Sequence, residues 1–194
     1  MSTLFVLASA SPQRRLLLQG LGLDFIVCAS EKAESVCMEA DPAERAKILA
    51  RLKADDVSTQ YPDAWVLGGD TLVVSSRGEL LEKPLNADDA RRMLRLHSGS
   101  VSAVHSTLCL RSPAGEFYEG LSTSKVYFRE LSDEDIAWWI GTELWRDRSG
   151  AFQIDGQGQL LISHMEGDWS GVVGLPVFLF GELCRRAGLV LLPK

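Results

Sequence analysis

The chain has 194 residues, 46% of them hydrophobic and 24% charged, which suits one globular domain or one domain split into two lobes. Its net charge of −6 excludes a general nucleic-acid binder, which needs a broad basic surface, but not a nucleotide substrate, which needs only a local cluster of positive charge. Cys28, Cys37, Cys109 and Cys184 lack C-x-x-C spacing, arguing against a zinc or redox motif, and no apolar run approaches the roughly 18 residues of a membrane helix.

Residues 4–8 read as a short buried strand. The small residues Ser9, Ala10 and Ser11 that follow imitate a signal-peptide cleavage site, but no basic residue precedes the run and it is too short. Residues 9–12 form a turn and 13–21 a helix ending near Gly22. Strand, polar turn and helix in that order make an anion-binding arrangement, because free N–H groups at the helix start point into the turn.

Residues 25–28 look like a second strand, followed by a polar loop. Asp41, Pro42 and Glu44 mark a helix start, with Asp as N-cap, Pro at the first helical position and Glu in the first turn. This helix carries Ile48, Leu49 and Leu52 and ends near Ser58. A buried strand enters at 65–67, is interrupted by Gly68-Gly69-Asp70 and resumes at 71–74; residues 76–79 read as a hairpin turn. A helix capped by Asn86 runs to His97. Strands are expected at 101–111, 116–123, 125–129 and 159–164, with helices from Ser132 and over 176–187. The interleaving predicts an α/β or α+β fold with a mixed sheet.

Four segments carry residues suited to phosphate chemistry. In Ser9-Ala10-Ser11-Pro12-Gln13-Arg14-Arg15, hydroxyls, backbone N–H groups and an arginine fork suit phosphate oxygens; a capped helix start with solvated arginines fits the segment equally. In Gly68-Gly69-Asp70-Thr71, the glycines permit a sharp turn or a close approach and leave a carboxylate at a strand end. That carboxylate can hold a divalent cation or take a proton from water, or merely close a turn. Glu82-Lys83-Pro84 presents a lysine on a proline turn, and Lys53 and Glu34 read alone as surface charges. Together they match a demanding reaction. Cleavage between the α- and β-phosphates needs a cation, carboxylates to hold it and activate water, and fixed positive charge for the leaving pyrophosphate. His97, His105 and His164 lack metal-ligand spacing, and Trp138, Trp139, Trp145 and Trp169 read first as packing.

These segments, in this order, resemble the Maf family of nucleotide pyrophosphatases, once called septum-formation proteins. Ser9 to Arg15 resembles S-x-S-P-R-R, Gly68 to Thr71 resembles G-A-D-T, and Glu82-Lys83-Pro84 resembles E-K-P or G-K-P. Trp145 to Phe152 resembles W-x-D-K-A-G-A-Y, and Val172-Val173-Gly174-Leu175-Pro176 resembles V-V-G-L-P. The resemblance covers nearly the whole chain. It implies a single Maf-like domain over 1–194: an elongated mixed sheet flanked by helices, two lobes around a cleft, similar to inosine-triphosphate pyrophosphatases. It implies hydrolysis of a nucleoside triphosphate, dTTP/UTP or a modified nucleotide in a housecleaning role, to the monophosphate and diphosphate with a divalent cation, Mg2+ or Mn2+. Asp70 is then the proton acceptor, Ser9, Arg14, Lys53 and Lys83 hold phosphates, and Glu34 joins Asp70 at the metal. A homodimer, a cytoplasmic location, and no nucleic-acid or membrane partner are the accompanying expectations.

Base choice is divided. The family's dTTP/UTP group has Arg after S-P, Thr after the catalytic Asp and Gln in G-A-Y-x-I-Q-G; its 7-methyl-GTP group has Trp, Gln and Glu there. The corresponding residues are Gln13, Thr71 and Asp155. Thr71 and Glu82-Lys83-Pro84 follow the first group, whereas Asp155 leans to the second. An amide both donates and accepts and suits a uracil or thymine edge; a carboxylate only accepts and suits the adjacent donors of guanine. Position 13 lacks the Trp that stacks on a cationic base. A non-catalytic nucleotide-binding regulator of cell division is the competing expectation from another class.

Overall fold

The computed structural model describes residues 4–31 and 37–190. The elements are β1 (Phe5–Ala8), α1 (Pro12–Gly20), β2 (Ile26–Val27), α2 (Pro42–Ser58), β3 (Trp65–Val74), β4 (Leu80–Leu81), α3 (Ala87–His97), β5 (Val101–Arg111), β6 (Phe117–Phe128), α4 (Asp133–Gly141), β7 (Ile162–Glu166), α5 (Trp169–Val173) and α6 (Val177–Arg186). They form a mixed α/β fold with a seven-stranded sheet, ordered β2-β1-β3-β5-β6-β7 with β4 paired to β3. β1 runs parallel to β2 and β3, while β4 and β7 pair antiparallel with β3 and β6.

Side-chain caps set the helix starts. Ser11, Asp41, Asn86 and Ser132 each accept from backbone N–H groups that the first helical turn leaves unpaired, and Asp135 completes a capping box with Ser132. The starts at 41, 86 and 132 are those the sequence predicts, while α1 begins at Pro12, one residue before the expected Gln13.

Three expectations are corrected. β3 is continuous through Gly68-Gly69-Asp70; the glycines keep extended backbone and their missing side chains make room for neighbours. β6 does not break at Ser124, whose buried hydroxyl accepts from Asp168 N and donates to Asp168 O from within the strand. Residues Gly156–Leu161 form a 3-10 turn, so the strand expected at 159–164 begins at Ile162. Gly158 permits that turn: a Cβ there would lie 2.0 Å from the Gln153 carbonyl oxygen.

The chain divides into two compact units. The first takes the described residues of Met1–Asp70, Ser106–Ser122 and Gly174–Lys194; the second takes Thr71–His105 and Thr123–Val173. In the first unit, strand alternation sends side chains to two cores. Phe5, Leu7, Leu67, Leu108 and Leu110 pack with Leu18 of α1 and with Phe180 and Leu183 of α6. Val6, Ala8, Val66 and Cys109 pack with Ala50, Ala54 and Val57 of α2. Strands buried on both faces read as near-continuous apolar runs, which is why β1 is legible as a strand. Among the described residues no helix is long and apolar enough to cross a membrane.

In the second unit, Val73, Leu81, Val104, Val126 and Phe128 pack against α3 and α4 through Met93, Leu94, Ile136 and Trp139. Trp139 and Trp145 are core residues whose indole N–H groups donate to Ala151 O and Ile140 O, whereas Trp169 is about half exposed. His97, at the end of α3, is fully buried and stacks on Phe128 at 4.3 Å. Burial pushes its pKa from 6.5 down to about 4, outweighing the opposing pull of the Gly150 carbonyl.

That shift carries a sign. The unfolded chain binds a proton near pH 6.5 and the folded chain only near 4, so His97 adds its full stability above 6.5 and loses it as pH falls toward 4. Urea unfolding at pH 7 and pH 4.5 will therefore show the wild type losing about 3 kcal/mol more than His97→Gln, in which the titrating group is gone. Equal losses in both proteins would contradict a neutral buried imidazole.

Candidate active site

The site of the first unit begins with a backbone contact. A Cβ built on Gly68 of β3 would lie 2.1 Å from Ala50 O and 2.8 Å from Ala54 N of α2. Only glycine on the strand, facing alanines on the helix, lets the two backbones come this close. Ala46, Ala50 and Ala54 recur at helical spacing and are fully buried. Asp70 lies two residues beyond Gly68, on the same face of the strand. Lys53, beside Ala54, is thereby aimed at Asp70, and Lys53 Nζ donates to Asp70 Oδ1 at 2.6 Å with 13% and 7% of the two side chains exposed.

The other carboxylate oxygen of Asp70, Oδ2, is buried and has no hydrogen-bond partner among the described residues. An orphaned carboxylate oxygen costs free energy unless something binds it. It is a hard oxygen donor of the kind Mg2+ takes when one or two carboxylates and substrate phosphates supply its ligands. No group of three or more His, Cys, Asp or Glu side chains is placed to hold a metal among the described residues.

On the opposite face of β3 lies Gly69. A Cβ there would lie 3.3 Å from Arg14 Nε and 3.2 Å from Leu108 Cδ2. Arg14, on the first turn of α1, is 9% exposed; its Nε donates to Gly174 O at 2.8 Å and its Nη1 to Ser9 Oγ at 3.0 Å. Ser9 Oγ also accepts from Ser11 N, which ties the turn after β1 together. β1 and β3 run parallel with Ala8 opposite Gly68, so Ser9 falls beside the Gly69-Asp70 step. Ser9, Arg14, Lys53 and Asp70 are thus brought together in one unit. A guanidinium and an ammonium reach β3 from its two faces, next to a buried carboxylate.

Gln13 is partly buried on α1 and accepts from Ser11 Oγ at 3.3 Å. Thr71, Lys83 and Asp155 belong to the second unit. Lys83 is exposed in the connection from β4 to α3. Asp155 is partly buried at the start of the Gly156–Leu161 turn, where its side chain forms no capping bond; its carbonyl accepts from Gln153 Nε2 and Gly158 N. Glu34 lies outside the described residues.

Comparison with known proteins settles the family. The model of the family described as Maf-like protein matches residues 4–187. The chain belongs to the Maf-like proteins. It is 40% identical over 178 residues to a dTTP/UTP pyrophosphatase of Pyrococcus furiosus, covering 92% of each chain. It is 41% identical to the dTTP/UTP pyrophosphatase of Deinococcus radiodurans, over 95% of this chain and 93% of that one. A solved nucleoside-triphosphatase, a dITP/XTP pyrophosphatase of Mycobacterium abscessus, is 16% identical with a TM-score of 0.43 over 66% of this chain and 75% of that one, too distant to carry an argument.

Within this Maf-like fold two contributors escape a reading by motif alone. Gly174 acts through its carbonyl, with φ at 133°, and gives the V-V-G-L-P segment a physical task, which is to anchor Arg14. Asp56 on α2 accepts from Ser30 Oγ at 2.7 Å and Glu31 N at 3.1 Å, fastening the start of the loop after β2 to the helix that carries Lys53. The alanine spacing of α2 was the available signal for the close helix–strand contact.

That contact is testable. Gly68→Ala is expected to destabilise the protein by at least about 2 kcal/mol, because the new methyl meets helix backbone that cannot rotate away. Gly20→Ala, where nothing lies within 4 Å of the added carbon, is the control and will leave stability unchanged or raised. Chemical denaturation reads both, and an unaltered Gly68→Ala midpoint would refute the packing argument.

Proposed function

We propose that this protein hydrolyses nucleoside triphosphates to the monophosphate and pyrophosphate, with dTTP and UTP as its substrates. The observation that carries the reading is the buried Lys53–Asp70 pair, with Asp70 Oδ2 unpartnered beside the Arg14–Ser9 cluster. The dTTP/UTP pyrophosphatase relatives at about 40% identity support the base class.

The chemistry follows from these side chains. Water attacks the α-phosphorus, the bond to the bridging oxygen toward the β-phosphorus breaks, and its electron pair leaves with the pyrophosphate. Asp70 takes the proton that the attacking water loses. In the substrate-free protein, Lys53 and Asp70 neutralise each other, as buried charges must. A triphosphate offers Lys53 stronger anionic acceptors, so binding frees Asp70 to act. Arg14 is already locked in place by Gly174 and Ser9, so its charge opposes the negative charge growing on the leaving group without reorganisation. A divalent cation held by Asp70, and by Glu34 on the resemblance, would neutralise the phosphates and polarise them toward attack. Lys83 is assigned to the phosphates and Thr71 and Asp155 to base choice by the same resemblance.

Pyrophosphate release from a panel of UTP, dTTP, CTP, ATP, GTP and 7-methyl-GTP, with Mg2+ or Mn2+, is the test. Asp70→Asn keeps the shape of the side chain and removes its basicity, so turnover is expected to fall by about a hundredfold or more while circular dichroism is unchanged. A non-catalytic regulator would bind nucleotide and release no pyrophosphate in either form.

One observation favours 7-methyl-GTP as a second reading. Asp155 occupies an N-cap position without capping, which leaves an acceptor-only carboxylate for a ligand. If it reads the base, Asp155→Gln will move the ratio of kcat/KM for UTP over 7-methyl-GTP toward UTP by about 1–3 kcal/mol, the cost of a mismatched buried polar group. An unmoved ratio would remove Asp155 from base recognition.

A further inference from the structure

The Ser149–Ala151 turn of the second unit is held more tightly than a surface turn requires. Gly150 and Ala151 both adopt left-handed backbone, at φ of 74° and 60°, the second unfavourable for a residue with a side chain. Such a pair persists only where its surroundings impose it. Four hydrogen bonds do so. His97 Nε2 donates to Gly150 O at 2.8 Å and Trp139 Nε1 to Ala151 O at 2.8 Å. On its other side the turn gives: Gly150 N donates to Glu82 O at 3.1 Å, and Ser149 Oγ to Thr71 O at 3.4 Å.

The turn therefore connects a buried imidazole to the backbone of Glu82, the residue before Lys83. A carbonyl can only accept, so the His97 proton is on Nε2, and Nδ1 accepts from Ser102 Oγ at 2.7 Å. His97 stacks on Phe128 and packs T-shaped against Phe152, and with its two hydrogen bonds these contacts hold the ring in place. A Cβ on Gly150 would lie 3.2 Å from His97 Nε2 and 3.0 Å from Val73 Cγ1, so the turn is seated directly on the ring.

We propose that His97 is a positioning residue which, through the Gly150 backbone, fixes the Glu82-Lys83-Pro84 segment and so sets where the Lys83 ammonium meets a phosphate. The inference rests on the pyrophosphatase reading. Lys83 is exposed and its side chain has many rotamers, so the backbone that carries it is what the fold can control. His97 touches no substrate in this scheme.

The test is a double-mutant cycle in the full chain, read by pyrophosphate release from UTP with Mg2+. His97→Phe keeps an aromatic ring on Phe128 and loses the donor to Gly150. It is expected to lower kcat by about tenfold with a smaller change in KM, and to have an effect within about twofold when Lys83 is already Ala. His97→Gln, whose amide can still donate to Gly150 O, will recover most of the lost rate. The same fold-loss in both backgrounds, or no loss in either, would overturn the proposal, since a merely structural histidine acts independently of Lys83. Should His97→Phe not fold, Ser102→Ala, which releases the ring from its tautomer, takes its place with a loss of about threefold that also vanishes in Lys83→Ala. If the wild type releases no pyrophosphate, the functional reading fails first. Hydrogen exchange at the Gly150 amide then decides the inference: about tenfold faster exchange in the variant supports it, and an unchanged rate overturns it.

Discussion

The approach of α2 to β3 at Gly68 is the constraint from which the rest of the first unit follows. Helix and strand backbones meet there with no side chain between them, because one partner is glycine and the other presents Ala50 and Ala54. Packing at this distance has almost no compliance, since interiors are as dense as organic crystals and backbone atoms cannot change rotamer. The helix is thus held in register with the strand to within the size of a methyl group. Lys53 and Asp70 inherit that precision. Their separation is decided less by their own attraction than by the fit beneath them, and the pair is buried, where charge interactions are strong and unpartnered atoms are costly.

Arg14 shows the same logic on the other face. Gly69 yields the space, and Gly174 and Ser9 supply acceptors, so a long flexible side chain becomes a fixed positive dipole fork at the end of β1. The entropy of ordering it has been met during folding rather than during binding. Carboxylate, ammonium and guanidinium are each immobilised by a different part of the chain, from α1 and α2 to the segment before α6. That dispersal explains why the family's motifs are spread over nearly the whole length.

The second unit uses buried donors instead of close backbone contact. Trp139 and Trp145 read from sequence as packing, and they are core residues, as His97 also proves to be. Their N–H groups, however, cannot be buried unsatisfied, and each is directed to a backbone carbonyl that it then restrains. Aromatic packing and loop geometry become a single problem with one solution. The left-handed residues Glu143, Asp147, Gly150 and Ala151 fall in the stretch those rings hold.

Local chemistry made much of this protein readable in advance. The starts of α1, α2, α3 and α4 follow from capping residues within one turn, and β1 from an apolar run, because these signals act over neighbouring positions. The order of the motifs identified the family, and the same motifs singled out Asp70, Arg14 and Lys53 as residues suited to one site. What depended on distant contacts was not readable. Gly68-Gly69 looks like a chain break, since glycine marks turns, yet here it marks two close approaches within one strand. Ser124 looks like a strand end and is instead a buried anchor for Asp168, 44 residues away. His97 looks like one histidine among three, and only its burial under Phe128 and its bond to Gly150 give it a task. Sequence alone decided which groups suited to phosphate chemistry this chain carries and, to within a residue, where its longer helices begin. The tertiary structure decided which of those groups meet, because their meeting is set by packing between segments 17 to 160 residues apart, a range over which no local propensity acts.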